Sequence, residues 1–347
     1  MCPVKFRQRY IATLAACVKL SSDHHLHLHS TSILQHTTTP ISPAFRGTSI
    51  MSKYGVMVMG PAGVGKSTFC TSLITHLQLN RRSAFYVNLD PAAEHFEHQP
   101  DLDIKDLISV EDVMEELQLG PNGGLVYCFE YLLANLDFIS DALESLTEEY
   151  LIIFDMPGQI ELYTHIPVLS GLVKFLTQSG ALDVRLCAAY LIESTFVLDR
   201  AKYFAGTLSA MSAMMMLEVP HINVLTKMDL IKDQMRKKDF KRFLVPDTTL
   251  LEDDPAETIR KRMTVAVDVR SDDPGNKDAL MSGATFQRLN AAIANLIESY
   301  SLVNYLKLDC TDEESVHAIL SHIDDCIQYH EAQEPRDPPE EEFDDEP

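Results

Sequence analysis

Apolar residues gather in short runs that recur along the chain, at Tyr54–Met59, Ala84–Leu89, Tyr150–Phe154, Leu186–Ile192, His221–Leu225 and Val303–Leu308. Each run has the length of a strand, and amphipathic or turn-rich stretches long enough to hold helices separate them. Parallel neighbours need a connection of a dozen or more residues, so this alternation predicts strands joined by helical crossovers. The pattern predicts one α/β domain over residues 51–330, doubly wound around a mostly parallel sheet, with helical insertions.

Three segments break the rhythm. Residues 231–280 mix charges with Pro246, Pro255, Pro274 and the acidic cluster Glu252-Asp253-Asp254, which predicts an inserted helical lid with mobile loops. Residues 331–347 hold nine acids, one base and four prolines. Such a segment cannot bury enough apolar surface to offset chain entropy, so a disordered acidic tail is expected. Residues 1–50 hold one acid (Asp23), five bases (Lys5, Arg7, Arg9, Lys19, Arg46) and the run His24-His25-Leu26-His27-Leu28-His29. This reads as a disordered extension. Its acid-poor, hydroxyl-rich composition resembles a transit peptide, but Met51-Ser52-Lys53 directly precedes the first strand and would itself make a good start, so a dispensable or mis-assigned extension is favoured over organellar targeting.

Composition narrows the function. The formal net charge is −22, so nonspecific attraction to nucleic acid or anionic lipid is disfavoured, and a bound nucleotide must be held by local geometry. No apolar run reaches the roughly 18 residues of a membrane span. Seven cysteines without a CxxC pair do not form a disulfide framework or a zinc-ligand spacing.

The most specific chemistry lies at Gly60-Pro61-Ala62-Gly63-Val64-Gly65-Lys66-Ser67, between the first strand and a helical pattern through Leu79. This matches GxxxxGK[ST] in its strand–loop–helix context. The glycines let backbone N–H groups turn toward phosphate oxygens, and the helix N-terminus adds partial positive charge. Lys66 is expected to reach the β- and γ-phosphates and the Ser67 hydroxyl to ligate Mg²⁺. Thr68 either contacts the α-phosphate or packs.

Thr226-Lys227-Met228-Asp229 follows the strand His221–Leu225, at the sheet edge where open α/β folds bind ligands. The Asp229 carboxylate can accept from N1–H and the exocyclic amine of guanine, whereas adenine offers an acceptor at N1. GTP is thus favoured over ATP, with the Lys227 stem covering the base plane. Taken alone, the same residues also suit a capped strand end.

Asp155-Met156-Pro157-Gly158-Gln159-Ile160-Glu161 follows the strand Tyr150–Phe154. Asp155 can hold Mg²⁺ through water, the Gly158 N–H can meet the γ-phosphate, and Gln159 can orient an attacking water. Asn88-Leu89-Asp90-Pro91-Ala92 ends the second strand, which is expected beside the first, near the γ-phosphate. Asp90 fits either a role toward metal-bound or nucleophilic water, or an Asx-turn before Pro91. Gly120-Pro121-Asn122-Gly123-Gly124 reads generically as a tight turn before a helix beginning near Leu125.

In order, GPAGVGKST, NLDPA, GPNGG, DMPGQIE and TKMD closely resemble the GPN-loop GTPases over about residues 53–330. FLVPD at 243–247, LLEDD at 250–254, DEES at 312–315 and IQY at 327–329 look most like the third eukaryotic paralogue. The resemblance implies a dimer, with itself or with another GPN-loop GTPase, in which Gly120, Pro121 and Asn122 of one subunit approach the partner's phosphates and Asn122 acts in trans. It also implies that Asp90, Asp155, Gln159 and Glu161 surround magnesium and water. It implies a cytoplasmic protein that can shuttle to the nucleus, linked to RNA polymerase II assembly and nuclear import. Two features depart from the family: no fifth guanine-contact motif is evident at Tyr305-Leu306-Lys307-Leu308-Asp309, and residues 1–50 exceed its pattern. A GTP-binding assembly chaperone with little hydrolysis and a nucleotide-dependent kinase remain alternatives.

Other features read as structural. Met211, Met214, Met215 and Met216 are expected to place at least half their number in the core, and Glu130–Asn135 suits either a dimer face or the domain's own core. His165 is expected to be capped or solvated.

Overall fold

The computed structural model describes residues 52–178, 182–231, 240–245, 292, 293, 295–297, 299 and 303–332. The expected N-terminal extension, most of the 231–280 insertion and nearly all of the acidic tail lie outside the described residues.

Seven strands form one sheet: β1 (Lys53–Met59), β2 (Ser83–Asn88), β3 (Leu102–Asp103), β4 (Tyr150–Asp155), β5 (Val184–Glu193), β6 (His221–Thr226) and β7 (Tyr305–Lys307). Their order is β3-β2-β4-β1-β5-β6-β7, and every pairing is parallel. The six predicted strands are present, and the doubly wound α/β architecture is the observed one. β3 was not foreseen: two residues are too few to leave a periodic signal.

One placement differs from expectation. β2 does not lie beside β1, because β4 stands between them. The register Asn88↔Asp155 nevertheless brings the ends of β2 and β4 level, so Asp90 still reaches the edge where β1 ends.

Alternation along the strands divides the core into two layers. Tyr54, Val56 and Val58 of β1 join Leu151 and Ile153 of β4 on one face, packed with Phe69, Leu73 and Leu77 of helix α1 (Lys66–Leu79). Met57, Met59, Ile152 and Phe154 face the opposite layer. That layer holds α2 (Val110–Leu117), α3 (Pro121–Ala134), α4 (Asp137–Glu144), α6 (Val168–Gln178) and α7 (Arg200–Leu217), with the one-turn α5 (Glu161–Thr164) at its edge. Helix α8 (Glu313–Ile327) returns to the α1 side through Val316, Ile319 and Ile323. Each fully buried Leu or Ile in these layers contributes about 1.5–3 kcal/mol.

Leu125, Cys128, Phe129 and Leu132 of α3 are buried in this domain's own core. Of the four methionines of α7 only Met211 is buried, while Met215 is half exposed. The helix packs along a narrower stripe than its apolar composition suggested, so fewer than half of them reach the core.

Candidate nucleotide site

The loop 60–65 leaves β1, the strand flanked by β4 and β5, at the point where the chain's connections diverge to the two halves of the sheet. Gly60, Gly63 and Gly65 all have positive φ. At Gly60 the requirement is also steric, since a Cβ there would stand 2.4 Å from the Leu191 carbonyl oxygen. Gly63 and Gly65 would meet nothing, so backbone conformation alone selects glycine there. Lys66 opens α1 and donates from Nζ to the Gly60 and Pro61 carbonyls, both at 3.1 Å, folding its ammonium over the loop. Burial pushes this ammonium's pKa down, and the Asp155 and Asp90 carboxylates oppose that shift. Ser67 and Thr68 are exposed at the mouth of the loop.

Asp155 ends β4 and is 3% exposed. Tyr86 donates its hydroxyl proton to Asp155 Oδ2 at 3.1 Å, while Oδ1 is buried and meets no hydrogen-bond donor among the described residues. Burial raises the Asp155 carboxyl's pKa, and the neighbouring Ser67 and Tyr86 hydroxyls hold it back. A buried carboxylate oxygen without a partner is costly. Beside an exposed Ser67 hydroxyl, it is the donor set that a hard divalent cation completes. The residues therefore fit Mg²⁺.

Asn88, fully buried, holds the Asp90 loop. Its Nδ2 donates to the Asp90 carbonyl at 3.1 Å and to Asp103 Oδ1 at 2.9 Å, and its Oδ1 accepts from the Asp90 N–H at 3.0 Å. Asp90 Oδ1 accepts from the Ala92 N–H at 3.0 Å, so the Asx-turn is formed. This leaves Oδ2 for a further partner, and burial raises the carboxyl's pKa. The two readings of Asp90 are compatible.

Gly158 lies against the phosphate loop: a Cβ there would stand 2.8 Å from Ala62 Cα. The Tyr163 hydroxyl donates to the Pro157 carbonyl and fixes the turn from below. Glu161 is exposed at the start of α5, and no hydrogen bond of its side chain to the phosphate loop is found among the described residues. His165 Nδ1 lies 2.5 Å from Thr164 Oγ1, a local cap.

Gly120-Pro121-Asn122 is not a turn ahead of a helix. Proline occupies the first position of α3 and Gly120 is its N-cap, and the Gly124 N–H already donates to the Gly120 carbonyl at 2.8 Å. Proline's fixed φ suits that first turn, where its missing N–H costs nothing. Four residues assigned to the loop are thus helical. Gly124 lets α3 approach α2, since a Cβ would meet Met114 and Val110 at 3.2 Å. Asn122 is exposed, and its Oδ1 accepts from Gln159 Nε2 of the same chain at 2.6 Å.

Thr226 is buried, and its hydroxyl donates to the Val64 carbonyl at 2.7 Å. That bond ties the base-side motif to the phosphate loop and leaves Thr226 a bracing role. Lys227 has φ 55°, and a short 3₁₀ turn, Met228–Ile231, follows with Met228 half-buried and Asp229 exposed.

Sequence reasoning assigned no role to Tyr86, Asn88 or Tyr163. The signal for Tyr86 and Asn88 is a polar pair two apart in a buried strand, which must find partners. Which partner each finds depends on strand register.

A phosphate-binding loop on the central strand of a doubly wound sheet, with a carboxylate on the adjoining strand, defines a P-loop nucleotide-binding protein. Comparison with known proteins makes this specific. Residues 58–329 match a family described as a conserved hypothetical ATP binding protein. A protein from Gibberella zeae named GPN-loop GTPase 3 is 68% identical over 295 residues, 84% of this chain and 98% of that protein. One of the same name from Saccharomyces cerevisiae is 52% identical over 288 residues, 83% and 97% of the two chains. A crystal structure of a GTPase in apo form from Pyrococcus abyssi superposes with a TM-score of 0.55 at 21% identity, covering 79% of this chain and 97% of that one, which supports the fold. The chain belongs to the GPN-loop GTPases.

Proposed function

We propose that this protein is a Mg²⁺-dependent GTPase acting as a conformational switch. The observation that carries it is the convergence at one sheet edge of the Gly60–Ser67 loop, the unpartnered Asp155 oxygen and the Thr226 brace that binds the base-side motif to that loop. The relatives' name and the chain's family membership support hydrolysis of GTP rather than transfer to an acceptor.

Backbone N–H groups of the loop and the Lys66 ammonium hold the triphosphate. Ser67 and Asp155 would hold Mg²⁺, with Asp90 as a further carboxylate beside them, and the ion would neutralise charge on the phosphate oxygens. Gln159 orients a water for in-line attack on the γ-phosphorus, the bond to the β–γ bridging oxygen breaks, and GDP and inorganic phosphate leave. Such chemistry needs positioning and charge neutralisation rather than a covalent intermediate. Asp229 selects guanine. Calorimetry with Mg²⁺·GTP tests this assignment: Lys66→Ala or Ser67→Ala abolishes tight binding, and unchanged affinity would overturn it.

The protein works as a dimer, with itself or with another GPN-loop GTPase, in which Asn122 reaches the partner's phosphates. It acts in the cytoplasm with passage to the nucleus, in RNA polymerase II assembly and import. Resemblance to the family supports these points. Mixing Asn122→Ala with Lys66→Ala chains tests action in trans: one site of the mixed dimer then combines both intact residues and recovers activity. Absence of recovery in mixed dimers verified by native mass spectrometry, with both sites occupied, would confine Asn122 to its own subunit.

A further inference from the structure

The end of β5 carries three consecutive polar residues outside the phosphate and base motifs: Glu193, Ser194 and Thr195. Register pairs Glu193 with Thr226, so this segment runs beside the base-side motif. Ser194 is fully buried, and its hydroxyl donates to the Lys227 carbonyl at 2.7 Å. Both carboxylate oxygens of Glu193 are engaged. Oε1 accepts from the Thr195 hydroxyl at 2.5 Å and Oε2 from Lys227 Nζ at 3.1 Å. Lys227 is therefore gripped at both ends, by its main chain and by its ammonium.

The grip has a physical reason. Lys227 holds a left-handed φ of 55°, a conformation uncommon for a non-glycine residue that here follows a strand rather than a helix end, and one that gathers at functional sites. A lysine stem loses much rotamer freedom when it lies across a ligand plane. Tethering the ammonium beforehand removes part of that cost from binding. A strand end needs none of this for stability, since a solvated lysine would serve as well. The pair is partly exposed, at 38% for the Lys227 side chain and 26% for that of Glu193, so its contribution is modest and lies at the rim of the base site.

We infer that Glu193 is a positioning residue for guanine recognition, holding Lys227 across the base plane while Ser194 fixes the backbone that leads to Asp229. The inference rests on the guanine reading proposed above.

The test compares ligands that share phosphates and differ in the base. In Glu193→Ala, calorimetry should show GDP affinity falling roughly two- to fivefold, with affinity for Mg²⁺·tripolyphosphate and the melting temperature unchanged. In a Lys227→Met background the same Glu193→Ala change should have no further effect on GDP. Glu193→Gln keeps the Thr195 partner and loses the charge, and should fall between wild type and Glu193→Ala. Equal GDP affinity in wild type and Glu193→Ala would overturn the inference, as would parallel losses for GDP and tripolyphosphate or additive effects of the two substitutions. A wild-type protein that binds ADP as tightly as GDP would overturn the guanine reading itself, and this inference with it.

Discussion

Asn122 and Gln159, thirty-seven positions apart, are joined by a 2.6 Å hydrogen bond in which the Gln159 amide donates to the Asn122 carbonyl oxygen. The first turn of α3 thereby meets the loop that follows β4. One N–H of the Gln159 amide is engaged by Asn122, which leaves the second N–H and the carbonyl oxygen for other partners.

If Asn122 acts in its own subunit through that bond, rather than in trans, then Asn122→Ala still slows hydrolysis more than it weakens GTP binding, by up to about 10²–10³ where a preorganised group acts on the transition state, and the mixed dimer recovers no activity. The Asn122→Ala/Gln159→Ala double mutant should be no slower than the slower single mutant, because both changes remove one unit. Single-turnover rates check this. Multiplicative losses would show that the two side chains act independently.

Gly158→Ala tests the contact between the two loops. A Cβ at 2.8–2.9 Å from Ala62 Cα and Cβ forces one loop aside. Affinity for a GTP analogue should fall about tenfold or more, because the γ-phosphate needs both loops, while GDP affinity changes little. Nucleotide titrations followed by fluorescence measure the ratio.

Asp229 is exposed at the base side, so its substitution should leave the fold intact. Asp229→Asn should weaken GTP and improve binding of xanthosine triphosphate, whose 2-oxo group accepts from the new amide. Competition between the two nucleotides gives the answer directly.

His221 gives the fold a dependence on acid. Burial pushes its imidazole down to about 4, against a hydrogen bond to Asn223 that opposes the shift. The ring stacks on Tyr190, and its buried Nδ1 meets no hydrogen-bond partner among the described residues. The native state keeps His221 neutral while the unfolded chain protonates it near 6.5. The unfolded state thus binds more protons between these values, and stability falls as pH drops from about 6.5 to 4. Urea midpoints should show this slope in wild type, and His221→Gln should flatten it.

Much of this architecture was legible in the chain. The six longer strands announce themselves because parallel strands buried on both faces must be apolar throughout, and the phosphate loop because its glycines answer to backbone conformation. Order within the sheet was less legible. Nothing local in Ala84–Leu89 says that β4 intervenes between it and β1, because that depends on which crossover folds over which face. Asn122 was visible as a motif, but Pro-Asn-Gly signals a turn as readily as a helix start, and only packing of Gly124 on α2 settles it. Tyr86 and Glu193 were silent because their partners, Asp155 and Lys227, are 69 and 34 positions away.

GTP labelled in its γ-phosphate follows the fate of that phosphate at the Gly60–Ser67 loop. With Mg²⁺ present, wild-type protein should release the label as inorganic phosphate, and Lys66→Ala should release none above background. Label retained on bound GTP over many hours, or transferred to protein or another acceptor, would show that the protein does not hydrolyse GTP there.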